Sequence, residues 1–257
     1  MHKFFSLVLI TFLTSLSVYS ADMRFIQVES AEFNTKNSEN FEKLVNKINS
    51  EKNVEFVVFT GNNIATPNKN ELKNFLKLAN KLKSPYYVVL GQKDVNLKKQ
   101  MSKDEYMKTV RKNNRTHFFI KSPNYIFNKK DVIFFVADGS KEVIPSSIGY
   151  YKEDVILWLD KNLEKYENKN VIIFQHYPII PPIQKETHYT YKADEYLRLL
   201  SEYKNVKAII AGHFNTNSEK LIDGILHITT QEAPRYRVID LLDYETENPT
   251  FWSTIKE

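Results

Sequence analysis

Short, unbroken apolar runs recur along this chain: Phe25–Val28, Phe56–Thr60, Tyr86–Leu90, Val171–Gln175 and Val206–Ala211. Each is too short for most helices and is closed by a Gly, His or acidic residue, which reads as a strand buried on both faces. Between these runs apolar residues recur at helical spacing. Phe41, Leu44, Val45 and Ile48 predict a helix over Ser38–Asn49, and Leu72, Phe75, Leu76, Leu78, Ala79 and Leu82 predict another, stopped by Ser84-Pro85. Ser102-Lys103-Asp104-Glu105 has the form of a capping box, opening a helix that runs to Arg111 or near it. Tyr151–Glu167 and Asp194–Tyr203 are predicted helices as well.

Phe118–Ile120, Tyr125–Phe127 and Val132–Ala137 read as further strands, with Phe118, Phe119, Phe134 and Phe135 assigned to the core. After Ala211 the helices stop. Lys220–Ile222, Leu226–Thr229, Tyr236–Leu242 and Phe251–Ile255 follow one another as strands, which predicts a second, largely antiparallel sheet. The alternation before them predicts an α/β fold. No repeat, linker or low-complexity tract interrupts it, so residues 22–257 are expected to form one domain.

Each of the five buried strands hands the chain to a polar loop. The loops are Ser30-Ala31-Glu32, Gly61-Asn62-Asn63-Ile64-Ala65, Gly91-Gln92-Lys93-Asp94, His176-Tyr177-Pro178 and Gly212-His213-Phe214-Asn215. Ligands of α/β sheets gather at the carboxyl ends of strands, so five such loops are expected to converge on one site.

These loops and their flanks resemble the calcineurin-like metallophosphoesterase family, whose pattern runs D-x-H, G-D-x-x-D, G-N-H-D/E, a lone His and G-H-x-H, each after a strand. The resemblance covers nearly all of the chain after its N-terminal segment. It implies a four-layer α-β-β-α sandwich: two mixed sheets flanked by helices. It also implies a site for two divalent cations, the first held at Ser30, Glu32, Asn62 and Asn215, the second at Asn62, Gln92, His176 and His213. Lys93 stands where the family has its catalytic His.

Against that pattern most functional side chains are replaced: Asp by Ser30, His by Glu32, the bridging Asp by Asn62, Asn by Gln92, the catalytic His by Lys93, and the last His by Asn215. His176 and His213 are unchanged. An Asn amide offers a metal one neutral oxygen and an NH₂ that repels it. Glu32 and Lys93 cancel in charge where two divalent ions need anionic neighbours. An ammonium about 4 Å from a cation costs several kcal/mol even at an effective dielectric of ~20. A dinuclear centre is therefore not expected.

What remains is at most one divalent ion (zinc, manganese or iron) on Asn62, Gln92, His176 and His213. Ser30, Glu32, Lys93 and Asn215 are left as ligand-binding positions, and no catalytic residue is assigned. The expectation is a phosphoesterase homologue of impaired catalysis whose cleft binds a phosphate-containing small molecule or a protein partner. The alternative is an active phosphoesterase with a rebuilt mononuclear site. Glu29 and Asp138, at strand ends, read as exposed or capping residues, and Asp94 as an ion-pair partner of Lys93. His188 is a candidate to line the cleft, whereas His117 and His227 read as structural.

Composition narrows the partners. The formal net charge is only +5, spread over Lys-rich helices without Arg and aromatic interleaving, so no nucleic-acid partner is expected. There is no cysteine, which excludes disulfides and thiolate chemistry. Met1-His2-Lys3, the apolar run Phe4–Val18 and the small residues Val18 and Ser20 have the form of a signal peptide over residues 1–20, cut after Ser20. The product is expected to be secreted or periplasmic, and membrane-held only if that segment stays.

Overall fold

The first sheet begins with β1 (Met23–Val28), β2 (Val54–Thr60) and β3 (Tyr86–Val89), which lie parallel and side by side. The computed structural model describes residues 22–257, and the segment read as a signal peptide lies outside the described residues. The helices α1 (Ser38–Ser50), α2 (Lys69–Ala79) and α3 (Lys103–Asn113) accompany these strands. The helical spacing of Phe41, Leu44, Val45 and Ile48 buries all four on one face of α1. Burial of this kind contributes roughly 1.5–3 kcal/mol per large side chain. Ser102 caps α3 as expected, accepting the Glu105 N–H at 3.1 Å.

The second sheet is built from β4 (Tyr125–Lys129) and β5 (Val132–Ala137), then β7 (Val171–Gln175), β9 (Val206–Ala211), β10 (Ser218–Ile222) and β11 (Ile225–Thr229). Its order is β10-β11-β9-β7-β5-β4, parallel through the middle and antiparallel at both edges. A short ribbon, β6 (Gly149–Tyr150) with β8 (Thr190–Tyr191), stands apart. The helices α4 (Glu153–Lys165) and α5 (Ala193–Ser201) cover the outer face.

The chain's last strands, β12 (Tyr236–Leu242) and β13 (Thr250–Lys256), do not form a separate antiparallel sheet. They return to the first sheet, in the order β13-β12-β1-β2-β3, while β10 and β11 complete the second. Both sheets are therefore mixed. Strand propensity shows that a segment is extended but not which neighbour it pairs with.

Side-chain alternation stacks the layers. Phe134 turns inward onto Phe25 and Phe56, at ring distances of 5.8 and 5.0 Å, while Phe135 turns outward onto Trp158 of α4 at 5.6 Å. Phe59 likewise packs on Phe41 and Phe75 of α1 and α2. The result is two large mixed sheets face to face, flanked by helices. One predicted strand is absent. Residues 115–117 form a 3₁₀ turn instead, and Phe118 and Phe119 are not core residues but lie in solvent. Phe134 and Phe135 are buried, as expected.

Candidate functional site

The loops after β1, β2, β3, β7 and β9 meet at one end of the facing sheets, and their backbone is strained. Ser30, Glu32, Asn62, His213 and Asn215 all have positive φ, between 41° and 72°. An L-residue there costs about 1 kcal/mol, and such conformations persist where the surroundings fix them, typically at functional loops. Gly61, at φ 97°, meets another limit: a Cβ there would lie 2.5 Å from Nδ1 of His176.

The centre of the site is Glu29, expected to be exposed or capping and found fully buried. Its carboxylate accepts the Ser30 hydroxyl at 2.6 Å, the Thr60 hydroxyl at 2.7 Å and the His213 backbone N–H at 2.9 Å, and it lies 3.3 Å from Nδ1 of His176. Behind it, Gln27 on β1 donates to the Thr60 hydroxyl at 3.0 Å and to the Ala211 carbonyl at 2.8 Å, tying the two sheets together. The Thr230 hydroxyl donates to Gln27 at 2.6 Å. Gln27 and Glu29 are two residues apart on one strand face, and a polar pair in phase within an apolar strand was the signal available in the sequence.

His176 is buried beside Glu29. Burial opposes its charge, but the Glu29 carboxylate and the Thr60 carbonyl outweigh it and hold the imidazole pKa above its ordinary value. The ring places Nδ1 2.8 Å from the Thr60 carbonyl and Nε2 2.8 Å from Oε1 of Gln92. His213 is the opposite case. Burial, then the charge on His176, push its pKa down to about 2. It is neutral, donates from Nε2 to the Ser147 carbonyl at 2.7 Å, and turns Nδ1 toward His176 Nε2 at 3.2 Å. The His188 ring lies 4.9 Å from that of His213, at the edge of the cleft.

The remaining predicted positions are bound to one another. Lys93 Nζ pairs with Glu32 at 2.5 Å, not with Asp94. The Lys93 N–H donates to Oδ1 of Asn62 at 3.0 Å, and the Asn62 amide faces the Ser30 hydroxyl at 3.5 Å. Asn215 donates to Glu232 at 3.0 Å, and burial followed by the neighbouring Glu32 charge raises the Glu232 pKa. Asp94 is buried and accepts N–H groups from Gly91, Ile64 and Asn63, with burial pushing its pKa up to about 7. Asp138 is also buried, paired with Lys103 at 2.6 Å. His117 and His227 are buried within the fold.

Two sheets of this topology, with strand-end loops gathered on a His-containing site, define the metallophosphoesterase class of fold. The family profile for calcineurin-like phosphoesterases matches residues 23–216, and the chain belongs to that family. It is 24% identical over 192 residues to a probable glycerophosphodiester phosphodiesterase, GpdQ, of Arcobacter nitrofigilis. That match covers 73% of this chain and 66% of the relative's length. A dimetal phosphatase from Danio rerio superposes with a TM-score of 0.68 at 15% identity, covering 90% of this chain and 99% of the other. The protein TT1561 of Thermus thermophilus gives 0.60 at 11%, covering 91% and 99%.

The family is metal-dependent, and the side chains here can be tested against that requirement. Two ions do not fit. At the first position the Ser30 hydroxyl is given to Glu29, Glu32 to Lys93, the Asn62 oxygen to a backbone N–H and Asn215 to Glu232. The second position brings three potential donor atoms close together: His176 Nε2, Gln92 Oε1 and His213 Nδ1. A single ion fits these three only after His176 has lost the proton that Glu29 favours. Metal and proton compete for one lone pair.

Proposed function

We propose that this chain is an exported calcineurin-like phosphoesterase homologue that binds in its cleft and does not turn over phosphoesters at the family's rate. The observation that carries this reading is the Lys93–Glu32 pair, which sets a cation and its counter-ion among the positions that hold metal in the family. Two bound cations would lower the pKa of a nucleophilic water and neutralise the transferring phosphoryl group, and the pair stands where they would sit. Export rests on the N-terminal segment's charge, length and cleavage-site pattern.

Charge also bears on the occupant. Glu29, Glu32 and Glu232 face Lys93 and His176, so a phosphate dianion binds only if Lys93 exchanges Glu32 for it. A cavity of about 960 Å³ adjoins Ser30 and Glu32, floored by Phe33, Phe41, Leu44 and Pro234. That apolar floor, with a mixed rim of Glu32, Glu232, Lys43, Lys47 and asparagines, favours a protein segment over a free phosphate ester.

A second reading has one observation in its favour, the three clustered donors on Gln92, His176 and His213: a phosphoesterase with one metal. Elemental analysis after incubation with zinc, manganese and iron, together with turnover of an aryl phosphate, separates the two. The expected result is well under one ion per chain and no turnover above buffer. One ion, lost in His176→Ala and His213→Ala, would establish the second reading. About two ions with turnover would overturn both.

A further inference from the structure

We propose that the loop after α3 is a docking tip that seats this protein peripherally on an anionic lipid surface, independently of how the cleft is read. Phe118 is 65% exposed and Phe119 is 87% exposed. Their rings meet edge to face at 4.8 Å, covering each other and not the core. Two adjacent, solvent-facing phenylalanines carry a continuous hydrophobic cost in water that an acyl boundary removes.

The exposure is built in. Asn114 donates to the carbonyl of Tyr86, at the start of β3, at 3.1 Å, and its amide lies 3.0 Å from Nδ1 of the buried His117. His117 Nε2 lies 3.3 Å from the Tyr125 hydroxyl, which donates to the Val88 carbonyl at 2.8 Å. The Phe118 and Ile120 backbone N–H groups close the turn onto Arg115 and His117. The segment is therefore pinned from below while its two aromatic rings point out.

The segment that carries the tip is basic: from Tyr106 to Lys121 the charged residues are Lys108, Arg111, Lys112, Arg115 and Lys121, with Glu105 within electrostatic reach of Lys108 and Lys112. Arg111, Lys112 and Arg115 share a shallow depression with Lys83 and Phe118. Among the described residues, none of Lys83, Arg111, Lys112, Arg115 and Lys121 forms a salt bridge. An apolar point inside an unpaired basic collar matches the layering of an anionic bilayer, headgroup phosphates above hydrocarbon. No described helix is long and apolar enough to cross a membrane, so the attachment is to one leaflet's surface.

The test is co-sedimentation of the chain lacking residues 1–20 with phosphatidylcholine vesicles, plain or with about a third phosphatidylglycerol, at low and high salt. Removing the N-terminal segment eliminates its own affinity for lipid, and the described fold lies entirely beyond it. Binding is expected only to the anionic vesicles, weakening as salt rises. The double variant Phe118→Ser/Phe119→Ser is expected to bind at least about tenfold more weakly with an unchanged thermal melt, because both rings are exposed. Absence of binding, equal binding to both vesicles, or unaltered binding by the double variant would each overturn the proposal.

Discussion

Glu29 and Gly212 contend for the same space: a Cβ on Gly212 would lie 1.8 Å from the Glu29 carboxyl carbon. The glycine is needed here for room, since its backbone is not in the left-handed region. Gly212→Ala is expected to cost roughly 2–3 kcal/mol by overpacking against a carboxylate that cannot move without abandoning Ser30, Thr60 and His213. In a Glu29→Ala background the same substitution should cost under about 1 kcal/mol. Urea denaturation of the four chains of this cycle measures the coupling, and equal costs in both backgrounds would separate the two residues.

Restoring the family's side chains should restore its metals. The variant Ser30→Asp, Glu32→His, Asn62→Asp, Lys93→His and Asn215→His removes the Lys93–Glu32 pair and returns two carboxylates. The backbone already holds Ser30, Glu32, Asn62 and Asn215 at positive φ, which Asp and His tolerate comparatively well. Elemental analysis is expected to show the ion content rising to between one and two per chain, with aryl phosphate turnover appearing alongside. No gain in metal would place the defect in loop geometry and not in the ligands.

Gln27 gives the site its rigidity, because it links β1 to the Thr60 hydroxyl on β2, to the Ala211 carbonyl on β9 and to Thr230. Gln27→Leu keeps the volume and removes all three bonds, leaving the Thr230 O–H without its acceptor in a dry interior, while Thr60 still donates to Glu29 and the Ala211 carbonyl still accepts the Thr230 N–H. The expected loss is about 2–4 kcal/mol, read from chemical denaturation. A loss below about 0.5 kcal/mol would mean that water or rearrangement replaces all three bonds.

The scaffold was legible because its signals are local. A five- or six-residue apolar run ending in a turn residue specifies a buried strand wherever it occurs, and five in order specify where their loops meet. Glu29 was not legible, because an isolated glutamate at a strand end is most often solvated, and only the distant Thr60, His213 and His176 make it a core residue. The pairing of β12 with β1 rests on contacts some two hundred residues apart, which no local pattern encodes. Phe118 and Phe119 are the converse, since hydrophobic character alone does not ensure burial. Lys93 next to Asp94 suggested a local pair, but the carboxylate turns inward to backbone donors and the ammonium reaches across to Glu32.

Acid should loosen the base of the docking tip through His117. Burial lowers its pKa from 6.5 to about 3, so the folded chain binds its proton less readily than the unfolded chain does. A depressed imidazole contributes stability that is present above 6.5 and is lost as pH falls toward 3. Between pH 6.5 and 4 the loss is about 3 kcal/mol. His213 and His227 act in the same direction. Asp94, raised to about 7, acts in the opposite one, its contribution being lost as pH climbs from about 4 through 7. The difference between wild type and His117→Gln isolates the one group. Its advantage at pH 7 should shrink by about 3 kcal/mol at pH 4, measured by urea denaturation at each pH. A constant difference would mean that His117 titrates near its ordinary value, and that the hydrogen bonds among Asn114, His117 and Tyr125 do not depend on a neutral ring.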